Sequence, residues 1–236
     1  MIVLLHGFTH TGASWDPVLA ELPGRYRVLA PDIRGHGSAS DVEPVSLEGV
    51  IEDVRGLDPV VLCGYSMGAR LALHVALGAP SVRRLVLIGG SPGLADGSER
   101  EARRAADEAL AAELERLSIE QLADRWASQT AVLAGQPPTV AAAARADRLR
   151  NTPVGLARAL RGLGTGALPS LWDRLGEITV PVTLIVGERD TKFRAIAEQM
   201  APLFGGRVEL VVVPGAGHAV HLETPASVAD VLGVRR

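Results

Sequence analysis

Six short apolar runs constrain the fold of this chain more than any other feature of its sequence. Hydrophobicity within each run is continuous and does not alternate, which predicts strands buried on both faces, as in a parallel sheet covered by helices. The runs span 2–5, 27–30, 60–63, 85–88, 182–186 and 208–213, and each ends in Gly, Pro or a polar turn. Helical patterns separate them, so the sequence predicts an α/β fold with a mostly parallel sheet flanked by helices.

The hydrophobic pattern of the sequence changes between residues 98 and 176. Strand-like runs vanish there, and Ala, Arg, Glu and Leu recur at helical spacing. Because the pattern returns to the sheet at Val182, we interpret the segment as a helical cap inserted over the carboxyl edge, where open α/β sheets bind ligands. The predicted organisation is a core formed by 1–97 and 177–236, with a cap at 98–176.

Composition argues against several classes of partner. With 22% charged residues and a formal net charge of -3, the chain has no electrostatic footprint for nucleic acid or an anionic membrane. No run approaches the roughly 18 apolar residues that span a bilayer. The single Cys63 excludes an internal disulfide and is interpreted as a packed strand residue, and no basic leader precedes the first run. We therefore expect a cytoplasmic protein, a monomer or small homo-oligomer, that acts on a small apolar or anionic metabolite.

The run at 60–63 leads into Gly64-Tyr65-Ser66-Met67-Gly68 and then a helical pattern over 69–77. A serine on so sharp a turn needs small neighbours two residues before and after it, because the strand and helix backbones pass very close. Gly64 and Gly68 supply that room. The pattern predicts an exposed nucleophile at Ser66; the alternative is a tight β-to-α turn that carries a solvent-facing serine.

His6-Gly7-Phe8 follows the first run, where a loop can lend one backbone N–H to a developing oxyanion. The second N–H would come from the residue after the nucleophile. We therefore predict Phe8 and Met67 as the oxyanion donors. His6 is interpreted as bracing the loop through hydrogen bonds and not as a catalytic base.

A carboxylate and an imidazole follow the last two runs. Asp190 is predicted to orient and stabilise the catalytic histidine, with Glu188 as the alternative acid. The glycine-rich loop 214–217 delivers His218, the predicted general base, and His221 is the competing candidate. The chain order Ser66, Asp190, His218 is the one expected of the α/β-hydrolase fold.

These motifs resemble the MenH family of menaquinone biosynthesis, the 2-succinyl-6-hydroxy-2,4-cyclohexadiene-1-carboxylate (SHCHC) synthases. The likeness covers nearly the whole chain, including the cap segment 148–172, and its most specific marks are Tyr65, Arg70 and the Asp-x-Lys-Phe run at 190–193. The segments that carry it are 62–73, 187–193 and 217–223.

The resemblance implies a lyase that eliminates pyruvate from an enolpyruvyl cyclohexene precursor (SEPHCHC), with no cofactor, metal or water. It implies a carboxylate substrate held by arginines that match Arg70, Arg103 and Arg150, and a pocket lined by Trp126. His6 and Tyr65 are further substrate-binding candidates. Independently of the resemblance, Arg70 lies one helical turn after Ser66, where its guanidinium can bind a substrate carboxylate through two hydrogen bonds. For the cap arginines the alternative is a solvated helix face, as for the arginines at 100, 103, 104, 145 and 148.

Two departures from the family pattern stand out. Ala69 occupies a position that is often glycine, and leading edge strands common in relatives are expected to be missing, which would make the sheet smaller. Two other functions fit the same residues. One is a carboxylesterase or carbon–carbon bond hydrolase, which would use the triad to form an acyl-serine; the other is a ligand-binding module without catalysis.

Overall fold

A six-stranded, fully parallel sheet forms the centre of the molecule in a computed structural model, which describes residues 1–129 and 135–233. The strand order is β2-β1-β3-β4-β5-β6. The strands are β1 (Ile2–Leu5), β2 (Val28–Leu29), β3 (Val61–Tyr65), β4 (Arg84–Ile88), β5 (Val182–Gly187) and β6 (Val208–Val213). Each predicted run overlaps one of these strands, so the predicted α/β-hydrolase architecture with a parallel sheet is confirmed.

Most positions of the strands are apolar because helices cover both faces of the sheet. On β1, Val3 and Leu5 belong to one buried cluster, whereas Ile2 and Leu4 belong to another. Successive side chains of a strand point to opposite faces, so these clusters are the two hydrophobic layers on either side of the sheet. Cys63 is buried in the second layer, as its interpretation as a packing residue requires.

Ten helices connect and cover the strands within the described residues. They are α1 (Asp16–Glu21), α2 (Leu47–Gly56), α3 (Met67–Ala76), α4 (Gly97–Leu114), α5 (Ile119–Gln129), α6 (Pro138–Arg148), α7 (Pro153–Leu163), α8 (Thr191–Met200), α9 (Val220–Glu223) and α10 (Pro225–Gly233). No helix of the described segments combines the length and apolarity that a membrane span requires.

Helices α4 to α7 lie between β4 and β5 in the sequence and have a small core of their own. The Asp96 side chain starts α4 by accepting the Glu99 N–H, and Thr152 starts α7 by accepting the Gly155 N–H. Phe8 packs against this core and against the core of the sheet. Helix α4 begins one residue before the predicted insertion. Residues 130–134 of that insertion and residues 234–236 of the predicted core lie outside the described residues. The predicted division into cap and core stays a prediction.

Candidate active site

Ser66 stands in a strained turn between β3 and α3. Its φ is +51°, a left-handed conformation that is uncommon for a residue other than glycine. A Cβ added to Gly64 would lie 2.3 Å from the Gly68 carbonyl oxygen, and one added to Gly68 would lie 2.2 Å from that of Leu5. The two glycines therefore supply the room that the sequence predicts for them, and only glycine fits at either position.

The structure brings together the side chains of Ser66, Asp190 and His218, which are far apart in the chain. His218 Nδ1 donates a hydrogen bond to Asp190 Oδ2 at 2.6 Å, and His218 Nε2 lies 3.1 Å from Ser66 Oγ. In a neutral ring whose Nδ1 carries the proton, Nε2 is the acceptor, so the Ser66 hydroxyl donates to it. This is the geometry of a serine with an adjacent base and an orienting carboxylate.

Helix α8 and a phenyl ring hold the acid and the base in position. Asp190 caps α8, since its Oδ1 accepts the Phe193 N–H at 3.3 Å. The Phe193 ring packs on the imidazole of His218 with centroids 4.4 Å apart. Glu188, the alternative acid, instead accepts the Gly215 N–H at 2.8 Å, and so holds the loop that carries His218.

The loop that presents His218 is also held by an ion pair that sequence reasoning did not find. Arg189 donates to Glu223 at 2.7 Å, and the same Glu223 oxygen accepts the Gly217 N–H at 2.9 Å. Arg189 Nε also donates to the Gly215 carbonyl oxygen at 2.9 Å. The residue before the acid therefore fixes the backbone on the amino-terminal side of His218.

His221, the competing base, is a packing residue. It is fully buried between Tyr65 and Trp15, with ring centroids 4.2 and 4.9 Å away, and forms no hydrogen bond with Ser66. Burial lowers its pKa well below the ordinary histidine value, with smaller contributions from other histidines, so the ring is neutral. Its position excludes the role of partner to the serine.

His6 holds the loop after β1 from inside the protein. Its Nδ1 donates to the Gly7 carbonyl oxygen and its Nε2 accepts the Ile33 N–H, both at 2.9 Å. The ring is fully buried, and burial lowers its pKa to about 4. The bracing role fits this geometry. Both ring nitrogens are engaged within the protein, and a substrate-binding role for His6 stays a prediction.

The amides of Phe8 and Met67 donate to no other atom of the described residues. They are therefore available to a developing oxyanion, which is what their predicted role requires. The Phe8 ring contacts Trp126 edge to face at 5.1 Å, so Trp126 of the insertion lies against the loop of the first donor.

Tyr65 is buried beside His218, with ring centroids 5.3 Å apart, and burial raises the pKa of its hydroxyl.

Arg70 is a buried cation with no carboxylate partner among the described residues. Its guanidinium donates to Thr165 Oγ1 at 2.7 Å and to the Leu163 carbonyl oxygen at 3.3 Å, while its Nε has no partner. Burial, followed by the nearby charge of Arg103, lowers its pKa to about 10, and it remains protonated at neutral pH. Arg103 differs: its side chain is 48% exposed and is paired with Asp107 at 2.7 Å.

Arg150 lies at the surface, and its predicted role as a substrate ligand stays a prediction. Its side chain is 64% exposed and lies 3.9 Å from Asp147, on the side of the helix end that faces solvent. Arg148, which the sequence suggested as part of a solvated face, is only 1% exposed, and its NH1 group has no hydrogen-bond partner. The buried face of α6 runs through Ala144, Asp147 and Arg148 at helical spacing, whereas Arg150 lies beyond the helix end. The inward arginine is therefore Arg148.

Other parts of the molecule do not compete with this site. A cavity of about 610 Å³ lies at the opposite, amino-terminal edge of the sheet, where Val60, Arg83 and Pro181 line it, and it shares no residue with the triad. Within the described residues, no group of His, Cys, Asp or Glu side chains is arranged to hold a metal ion.

The fold and the Ser–His–Asp geometry define a protein of the α/β-hydrolase class, and residues 2–231 match the alpha/beta hydrolase family. A Bacillus subtilis protein, provisionally named an SHCHC synthase, is 39% identical to this chain. The match covers 95% of this chain and 85% of the Bacillus protein. The SHCHC synthase of Citrobacter koseri is 32% identical over 98% of this chain and 91% of its own. Within the α/β hydrolases, the chain belongs to the MenH family of SHCHC synthases.

Solved structures with the same fold include a MenH and an esterase. MenH from S. aureus superposes with a TM-score of 0.90 at 29% identity, covering 98% of this chain and 91% of that one. A thermophilic esterase from Thermogutta terrifontis, solved with malate bound, superposes with a TM-score of 0.83 at 26% identity, covering 98% and 87%.

Proposed function

We propose that this chain is an SHCHC synthase that eliminates pyruvate from SEPHCHC in menaquinone biosynthesis. The observation that carries the proposal is a pair of buried arginines, Arg70 and Arg148, that form no ion pair with any described carboxylate. An unpaired buried cation is costly, so such groups are usually compensated by a ligand of opposite charge. Arg70 lies one helical turn after Ser66, whose carbonyl oxygen accepts the Arg70 N–H at 3.1 Å, and Arg148 Nε donates to Thr9, the residue after Phe8, at 3.3 Å.

The substrate of such a lyase is a polycarboxylate, and this suits the two cations. A guanidinium can grip each carboxylate through parallel hydrogen bonds, which fixes orientation as well as adding affinity. We assign Arg70 and Arg148 to this role and Arg150 to the surface. Arg103 is placed beside Arg70 but already has Asp107 as its partner, so its contribution is to the local charge.

The chemistry needs a base and no acyl intermediate. The Ser66 oxygen takes a ring C–H proton as the hydroxyl proton passes to His218 Nε2, whose positive charge Asp190 stabilises. The electron pair of the broken C–H bond moves through the ring and expels the enolpyruvyl oxygen as its C–O bond breaks. The leaving enolate takes up the proton held on His218 Nε2 to become pyruvate, while the ring proton stays on the Ser66 oxygen, so the enzyme returns to its starting state. The amides of Phe8 and Met67 hold the negative charge that builds on the substrate.

A second candidate is a carboxylesterase with the same triad, which the likeness to the Thermogutta terrifontis esterase favours. An esterase would attack a carbonyl carbon with Ser66 and pass through an acyl-enzyme that water cleaves. A neutral ester needs no buried cation. The two arginines therefore separate the candidates.

The test is incubation of the purified protein with SEPHCHC while pyruvate and the conjugated diene product are followed. Hydrolysis of a p-nitrophenyl ester is measured in parallel. Loss of a charged hydrogen bond predicts that Arg70→Met lowers kcat/KM for SEPHCHC by about 10- to 100-fold and changes ester hydrolysis far less. A burst of p-nitrophenol with no pyruvate from SEPHCHC would decide for the esterase.

A further inference from the structure

The end of α6 is joined to the loop that carries Phe8. We name residues 8–12 the oxyanion loop. Asp147 accepts hydrogen bonds from the His10 ring at 3.0 Å, from the Thr11 N–H at 2.9 Å and from the Thr11 hydroxyl. Asn151 Nδ2 donates to the Thr9 carbonyl oxygen at 2.9 Å. Two side chains of the helical insertion thus bind three successive residues of the oxyanion loop, and all five residues are buried.

Thr9 has a backbone conformation that its own sequence does not favour. Its φ is +67°, and a left-handed conformation is strained for a β-branched residue. The His10 N–H donates to the Gly7 carbonyl oxygen at 3.1 Å, which closes a four-residue turn with Thr9 in the third place. Turns of this kind normally have glycine or asparagine there. A threonine stays in this conformation only when its surroundings hold it.

The surroundings that hold Thr9 come from the insertion. Asn151 binds the Thr9 carbonyl with its amide N–H and accepts the Gly37 N–H at 3.0 Å with its amide oxygen. Arg148 Nε donates to Thr9 Oγ1 at 3.3 Å. Asn151 Nδ2 also donates to the Arg148 carbonyl oxygen at 3.2 Å, so Asn151 ties together the oxyanion loop, the loop at Gly37 and the end of α6.

We propose that Asn151 is a positioning residue that keeps Thr9 left-handed and so fixes the turn from which the Phe8 amide reaches the developing charge. Phe8 is the second residue of that turn, and relaxation of Thr9 to negative φ would change the turn type by rotating the Phe8–Thr9 peptide, which directly follows the Phe8 amide. The inference rests on the proposed function, because it assigns Asn151 to the oxyanion donor of that reaction. The helical insertion then contributes part of the catalytic geometry of the core.

Asn151→Asp tests the inference, since the new side chain can still accept the Gly37 N–H but can no longer donate to Thr9. A small misplacement of an oxyanion donor costs one to two orders of magnitude, so kcat for pyruvate release is expected to fall about tenfold or more. Substrate affinity does not depend on this amide before charge develops, so KM should stay within about twofold. Thr9→Gly added to Asn151→Asp should recover most of the lost kcat, because glycine adopts positive φ without help.

Arg145→Ala on the same helix is the matched control, because Arg145 pairs only with the exposed Asp124 of α5 among the described residues. Its kcat should equal that of the unmodified protein. An Asn151→Asp variant that loses only thermal stability or only affinity would overturn the inference. A double variant as slow as Asn151→Asp alone would overturn it too. If Asn151→Asp does not fold, Asn151→Ser is measured alone and with Thr9→Gly under the same criteria.

The outcome is separable from the proposed function. Ester hydrolysis by the same serine would use the same Phe8 amide. If the unmodified protein releases no pyruvate from SEPHCHC, the proposed function fails, and the comparison is repeated on p-nitrophenyl ester hydrolysis. Loss and rescue of ester kcat would then uphold the positioning role, and their absence would refute it.

Discussion

Replacement of His6 by glutamine should reduce the acid sensitivity of the fold. His6 is neutral because burial lowers its pKa from 6.5 to about 4, an effect that the nearby Asp32 and Asp147 oppose only in part. Between these two pH values the unfolded chain binds a proton that the folded protein does not, so stability is lost as the pH falls from about 6.5 to about 4. The full difference corresponds to about 3 kcal/mol, at 1.36 kcal/mol per pH unit. Protonation would also turn Nε2 into a donor and break its bond with the Ile33 N–H.

Urea-induced unfolding followed by tryptophan fluorescence at pH 7 and pH 4.5 measures this difference. The free energy of unfolding of the unmodified protein should fall by about 2–3 kcal/mol more than that of His6→Gln over this interval. The pKa of His74 is lowered to about 4, mainly by burial and with no contribution from His6, so it titrates alike in the two proteins. That of His36 is lowered to about 3 by burial and then by the charge of His6, whose ring contacts it at 4.9 Å. The difference between the curves therefore reports His6 together with its coupling to His36. Identical pH dependence in the two proteins would refute the reasoning.

Two further changes test the elbow and the choice of arginine. Gly68→Ala should prevent folding or lower Tm steeply, because its Cβ would meet the Leu5 carbonyl oxygen at 2.2 Å. The control is Gly56→Ala at the end of α2, where no atom lies near the added Cβ, and this change should leave Tm unchanged or raise it. Equal melting temperatures of the two variants would contradict this account. Arg148→Met should lower kcat/KM for SEPHCHC by about 10- to 100-fold, with Arg150→Met within about twofold of the unmodified enzyme. The reverse order would restore the sequence-based choice.

The sheet and the elbow could be predicted because their signals are local. A strand buried on both faces must be apolar at every position, and β1, which is buried throughout, begins and ends where its apolar run does. The sharp turn at Ser66 leaves only glycine at positions 64 and 68, which makes the motif readable without coordinates. Asp190, preferred over Glu188 from the sequence, lies on the loop after β5, and its carboxylate accepts the hydrogen bond from His218 Nδ1.

The arginines could not be assigned in the same way because their roles depend on helical phase and helix ends. Arg148 and Arg150 are two residues apart. An error of two residues in the predicted end of α6 therefore changes which of the two arginines points into the protein and which points to solvent. The signal that could have chosen between them is Asn151-Thr152-Pro153, which marks the start of a new helix and places Arg150 outside both. The Arg189–Glu223 pair left no local signal, since it joins residues 34 positions apart.

Pyruvate release from SEPHCHC by the unmodified protein and by Ser66→Ala tests the central claim most directly. Loss of the serine oxygen removes the base that takes the ring proton, so kcat should fall by about 10³-fold or more while the fold and Tm persist. Robust pyruvate release that depends on Ser66 would establish the proposed reaction and its base. Pyruvate release by Ser66→Ala at the rate of the unmodified protein would contradict the account.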